Sequence, residues 1–97
     1  MTPLSYNSKF WNDAERYYRW YEARGVGLGD GFLEEVEKGL SDIENNPLRY
    51  ALITATSRQC QVSRFPFSIY YRIKSDRIRI LALWHNARGS HTWKNRR

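Results

Sequence analysis

Apolar positions in the first half of the chain recur at helical intervals. Phe10, Trp11, Ala14, Tyr17, Tyr18 and Tyr21 follow one another at i, i+1, i+4, i+7, i+8 and i+11, which lays a broad apolar stripe along one side of a helix. Arg16, Arg19 and Glu22 fall largely outside the stripe. Asn7 or Ser8 is suited to cap its start and Gly25 to end it. A second stripe, Leu28, Phe32, Val36, Leu40 and Ile43 with Leu33 beside it, predicts a second helix that Asn45-Asn46-Pro47 terminates. Its first turns carry Glu34 and Glu35, where carboxylates favour the positive end of the helix dipole. Between the stripes runs a glycine-rich turn, Gly25 to Gly31. A phosphate-cradling loop would need a strand before it and a Lys-Ser/Thr after it, and this run has neither. The expected unit is an antiparallel helical hairpin whose aromatic stripe is core.

From Tyr50 onward the period changes to two. Residues 58–65 read as a strand, after which Pro66 helps form a tight turn. Residues 67–74 alternate, with Phe67, Ile69, Tyr71 and Ile73 on one face and Ser68, Tyr70, Arg72 and Lys74 on the other. Ser75-Asp76 is a two-residue connection. Residues 77–84 alternate again, placing Ile78, Ile80, Ala82 and Trp84 together, with Arg77, Arg79, Leu81 and Leu83 opposite. Residues 2–6 are suited to a short edge strand, a position that tolerates Pro3. The apolar face of such a meander needs a cover, and the hairpin supplies it. The expected fold is α+β: a two-helix antiparallel hairpin packed on a twisted three- to four-stranded antiparallel sheet, as one domain over residues 1–97. Its other sheet face mixes Arg72 and Arg79 with Tyr70, Leu81 and Leu83, a composition suited to a nucleic-acid or protein surface.

Composition narrows the class. An apolar share of 41% and an aromatic share of 15% suffice for one core in 97 residues and argue against a disordered polymer. The single cysteine, Cys60, excludes an internal disulfide and a multi-cysteine zinc site, and reads as a small hydrophobe within a strand. His85 and His91 alone, without a partner carboxylate, do not make a metal site, so neither metal nor other cofactor is expected. The opening residues lack the basic and long apolar regions of a signal peptide, and no apolar run reaches the ~20 residues that span a bilayer. A soluble cytoplasmic protein without a membrane partner is expected.

Net charge of +6 conceals a sharper division. Residues 1–48 hold five Lys/Arg against nine Asp/Glu, a balance of −4, whereas residues 49–97 hold eleven Lys/Arg against Asp76 alone, a balance of +10. Two halves of opposite sign suggest surfaces with different partners, the basic one suited to phosphate. The tail from His85 to Arg97 adds four Lys/Arg, two His and a Trp without an acid, and Lys94, Arg96 and Arg97 read as flexible cations.

The ordered blocks Gly27-Leu28-Gly29, Phe32-Leu33, Val36-Glu37, Leu40 and Asn46-Pro47 resemble the helical half of the RelE/ParE toxin superfamily. The run from Arg64 to Ile73 resembles its central hairpin; Ile78 to Leu83, then His85, Arg88 and Trp93, resembles its last strand and C-terminal segment. The similarity covers essentially the whole chain. It implies the toxin of a type II toxin–antitoxin module, neutralised by a co-expressed antitoxin protein. Two targets follow from it: ribosome-bound messenger RNA, cut by RelE-like members, or DNA gyrase, poisoned by ParE-like members such as plasmid stabilisation toxins.

RelE-like ribonucleases use Lys/Arg from the middle strands and a C-terminal Tyr. Here the corresponding strand position is Ser68 and the C-terminal aromatic is Trp93, which has no titratable hydroxyl. A metal-independent endoribonuclease would have to draw on Arg64 and Arg88, with His85, or else His91, for acid–base work, as catalytic candidates. Gyrase poisoning needs only a complementary surface, for which Arg58, Arg64, Arg72, Arg79, Arg88, Trp93 and Lys94 are the candidates. Arg64-Phe-Pro-Phe and the spacing of His85, Arg88 and Trp93 favour this ParE-like reading; an inactive nucleic-acid- or protein-binding family member is the remaining alternative. Each candidate has a structural alternative as well: His85 bonding backbone, Trp93 capping the core, Arg88 pairing with an acid of the hairpin, Arg64 merely solvated.

Overall fold

Asn7 opens the turn that leads into the first helix, although the capping position itself falls to Lys9, without a side-chain cap, rather than to Asn7 or Ser8. The Asn7 side-chain Oδ1 accepts the amide of Lys9 at 3.0 Å and its carbonyl accepts that of Phe10 at 3.0 Å, so the chain turns directly from an extended segment into helical hydrogen bonding. The computed structural model describes residues 2–97. It comprises β1 (Leu4–Tyr6), α1 (Phe10–Glu22), α2 (Leu28–Asn45), β2 (Arg58–Gln61), β3 (Phe67–Ile73), β4 (Ile78–His85) and a 3-10 turn at Thr92–Asn95. The helices form the expected hairpin. Its turn differs in detail: Gly27, at φ 86°, takes the left-handed conformation, whereas Gly25 does not. Glu22, at the end of α1, accepts the amides of Gly27 (3.0 Å) and Gly29 (2.9 Å), so the exposed donors at the start of α2 bind the chain's own carboxylate. Gly29 also lets the helices approach, since a Cβ there would lie 2.7 Å from the Tyr18 carbonyl oxygen.

The four strands form one sheet in the order β1-β4-β3-β2. β2, β3 and β4 pair antiparallel as expected, but β1 runs parallel to β4, with Leu4 opposite Ile78 and Tyr6 opposite Ile80. The sheet is therefore mixed. Only a tight turn forces antiparallel pairing, and here both helices and two strands lie between β1 and β4. β2 ends at Gln61 rather than 65 because Arg64 adopts φ 70°, and the Val62 amide bonds Phe67 O at 2.9 Å to close a turn. At the other end of β3, Lys74 N bonds Arg77 O at 2.7 Å around the Ser75-Asp76 connection.

Alternation holds through β3 and fails in β4. Tyr70 pairs with Ala82 but Tyr71 with Ile80, leaving Leu81 as one extra residue in a β-bulge. Beyond it the sides exchange. Ile78, Ile80 and Leu83 join Phe10, Phe32, Val36, Ile43, Phe67, Ile69 and Tyr71 in the core under the helices. Leu81, Ala82 and Trp84 face the other way with Tyr70. The expected grouping of Ala82 and Trp84 with Ile78, and of Leu83 with Arg79, is corrected accordingly. Within the first stripe, Trp11 turns outward, as does Leu28 in the second.

Tyr71 links this core to the end of α2: it is wholly buried, and its hydroxyl donates to Pro47 O at 2.6 Å. Burial pushes its pKa up to about 12 from an ordinary 10.0. The phenol stays protonated in the folded chain after the unfolded chain has begun to ionise, so stability is full below pH 10 and falls between 10 and 12. Unfolding free energies from urea titrations across that range should drop by up to about 1.4 kcal/mol per pH unit for this one group. Tyr71→Phe should flatten the decline; an unchanged slope would contradict the assignment.

Candidate functional site

Second-face residues of β3 and β4 were expected to present an open cationic surface. The tail instead covers them. Trp93 is fully buried and stacks on Tyr70, ring centroids 4.0 Å apart at 10°. Trp84 donates from Nε1 to Ser90 O at 2.9 Å. Arg72 donates to Lys94 O (3.3 Å), Arg96 O (3.5 Å) and Ser57 Oγ (3.1 Å), and Arg79 to Arg97 O (3.3 Å). These cations hold the tail's carbonyls. The physical reason is the bulge: it turns Leu81 and Trp84 to the same side, and that much apolar surface needs a lid.

Arg96, expected to be flexible, locks the lid. β1 covers the edge of β4 only as far as Ile80, whose carbonyl accepts the Asn7 amide at 2.8 Å. The next carbonyl, Leu81 O, accepts from Arg96 at 3.1 Å, and the same guanidinium nitrogen reaches Asp13 of α1 at 2.9 Å. Both side chains of this pair are nearly buried, with relative exposures of 13% and 9%. Asp13 also receives Arg16 at 3.0 Å, so the carboxylate serves two arginines.

The remaining candidates gather at one end of the sheet, where Phe67 pairs with His85. Arg64 lies on the β2–β3 turn, exposed, 4.0 Å from the buried carboxylate of Glu35, which Lys38 also contacts at 3.2 Å. Arg88 stacks over Trp84 at 3.8 Å rather than pairing with an acid of the hairpin. His85 packs edge-on against Phe67, and its Nδ1 accepts the Ala87 amide at 3.0 Å. Elsewhere, Arg58 donates to Tyr50 O at 2.6 Å and anchors the segment after α2, while Lys94 is exposed. Cys60 is buried, and burial pushes its thiol up, which leaves little thiolate. Among the described residues no three His, Cys, Asp or Glu side chains cluster closely enough to hold a metal ion.

Sequence reasoning missed the group that staples the two turns. Ser68, fully buried, accepts from Gln59 Nε2 at 2.9 Å and donates to Asn86 Oδ1 at 2.7 Å. Asn86 also donates from Nδ2 to Gln61 Oε1 at 3.0 Å, and its amide bonds Pro66 O at 2.8 Å. The sequence signal was slight: a small polar residue, Ser68, at the start of a strand whose other positions are mostly apolar or aromatic.

With this geometry established, comparison with known proteins decides the family. The model described as ParE toxin of type II toxin-antitoxin system, parDE, matches residues 4–89. The chain belongs to the ParE toxin family. It is thereby a type II toxin–antitoxin toxin of the RelE/ParE superfamily, and the matched range ends at Gly89, before the tail helix. A solved structure titled chromosomal ParDE TA system from P. aeruginosa shares the fold, with a TM-score of 0.75 and 20% identity over 88% of this chain and 96% of that one. No match is found among curated proteins. No described helix of this ParE-family chain is long and apolar enough to cross a membrane.

Removing one partner of a buried ion pair typically costs about 3–5 kcal/mol. Arg96→Ala should fall somewhat below that, near 2 kcal/mol in urea unfolding, because Arg16 still faces Asp13. Asp13→Asn combined with Arg96→Met should recover part of the loss. Loss below about 0.5 kcal/mol in the single variant would mean the pair does not hold the tail.

Proposed function

We propose that this ParE-family toxin arrests growth by binding DNA gyrase in the cytoplasm through the end of the sheet that carries Arg64 and Arg88, and that an antitoxin protein holds it inactive. One observation carries the reading. The two turns bearing these arginines are joined through Asn86, so two exposed cations ride on short, hydrogen-bonded segments. Rigid presentation of charge lowers the ordering cost of association. His85, Arg88 and Arg64 each face a different partner: the Ala87 amide, the Trp84 ring and the Glu35 carboxylate. A binding surface needs nothing further from them. Gyrase is the target that the resemblance to ParE-like toxins implies.

Expression of the chain alone should arrest growth, and purified protein should block supercoiling by purified gyrase while leaving ribosome-bound transcripts intact. Arg64→Ala with Arg88→Ala should weaken inhibition roughly tenfold, equivalent to about 1.4 kcal/mol. Asn86→Ala should weaken it in the same direction by loosening both turns. Cleaved transcripts with undisturbed supercoiling would replace the gyrase reading with ribonuclease action.

A further inference from the structure

Between the exposed side of α1 and the sheet end lies a cleft of about 280 Å³, lined by Tyr17, Trp20, Tyr21, Phe67 and His85. Its walls are set by ring contacts. Tyr17 meets Phe67 edge-on at 4.5 Å, Phe67 meets His85 at 5.0 Å, and Trp20 meets Tyr21 at 5.1 Å. No carboxylate lines it, and its rim carries cations. Arg24 lies over Trp20 at 3.4 Å and donates to Trp20 O, with no acidic side chain within ion-pair distance among the described residues. Arg16 lies over Tyr17 at 5.4 Å, sharing its charge with Asp13. Because His85 Nδ1 accepts the Ala87 amide, the neutral ring carries its proton on Nε2 and offers a donor.

We propose that this cleft docks one large apolar side chain of an acidic peptide segment, with flanking carboxylates meeting Arg24, Arg16 and His85. The proposal rests on the toxin–antitoxin reading only in assigning that segment to the antitoxin. Two other occupants fit less well. A cation seeking an aromatic cage would meet guanidinium groups already placed on Tyr17 and Trp20. A nucleobase is held best between parallel ring faces, whereas the rings that line this cleft meet one another at 62–86°. What remains is an aromatic cleft of about 280 Å³, a size that accepts one large side chain. Half-exposed Trp20 would lose its contact with water when the cleft fills, as interface aromatics commonly do.

Three nine-residue peptides test this directly: one of alternating Glu and Asp around a central Phe, the same peptide with central Ala, and a Lys/Arg-flanked version with central Phe. Binding to the full-length chain is followed by NMR shifts of the Trp20 indole and His85 ring. The acidic Phe peptide should bind saturably, with Kd on the order of 0.1–1 mM, and at least tenfold more tightly than the other two. Trp20→Ala and Arg24→Glu should each weaken it at least fivefold; Arg24→Glu alters an exposed position, so a folded spectrum keeps that arm interpretable. Equal binding of the basic peptide, preferential binding of a single-stranded oligonucleotide, or shifts confined to other surfaces would overturn the proposal. Growth arrest on expression tests the toxin reading separately, because peptide binding does not depend on toxicity.

Discussion

β4 carries one residue more than β3 can pair with, and Leu81 is that residue. The extra residue places Leu81 and Ala82 on the same side of the sheet and brings Trp84 round to join them, while Leu83 returns to the core beneath the helices. A strand that alternated throughout would have divided these groups differently and left a surface of mixed character. The bulge instead concentrates apolar area on the face away from the hairpin. Burying it is worth roughly 25 cal/mol per Å², so a chain able to fold its tail across that face does so. The stacking of Trp93 on Tyr70, the seats of Arg72 and Arg79 on tail carbonyls, and the Asp13–Arg96 pair all follow from this one constraint.

Charge is thereby redistributed. Half of the chain is strongly basic, yet several of its arginines are spent inside the molecule on backbone carbonyls, where a guanidinium satisfies more than one acceptor at once. The cations left exposed on ordered turns lie at both ends of the sheet: Lys74 and Arg77 on the β3–β4 turn, where Arg77 meets Asp76, and Arg64 and Arg88 at the other end. The end where β3 begins and β4 leaves differs from the other in combining its cations with the aromatic cleft of α1. Both proposals above concern that end.

The helical hairpin, the central strands and the packing of one on the other were legible because their periods, 3.6 and 2, are set by backbone geometry and depend on no distant partner. What escaped depended on distant partners. Leu81 and Ala82 are both apolar, so either register of β4 reads equally well until β3 fixes it. Three residues of β1 carry no local mark of parallel or antiparallel pairing. Arg96 looks like any tail cation, and only Asp13, 83 positions earlier, gives it a task. Trp93 was read both as a target contact and as a core cap; the structure buries it completely. For the site, sequence named Arg64, Arg88 and His85 but not the Ser68–Asn86 staple between their turns, since hydrogen bonding across 18 residues leaves no pattern.

The central claim is that the sheet is covered on both faces, the second by the chain's own tail. Nuclear Overhauser contacts between the Trp93 and Tyr70 rings test it most directly, because stacked rings 4.0 Å apart give strong ones. The account predicts those contacts together with slow exchange of the Trp84 indole proton, which is bonded to Ser90. A mobile Trp93 ring without them, and a rapidly exchanging Trp84 indole, would contradict it.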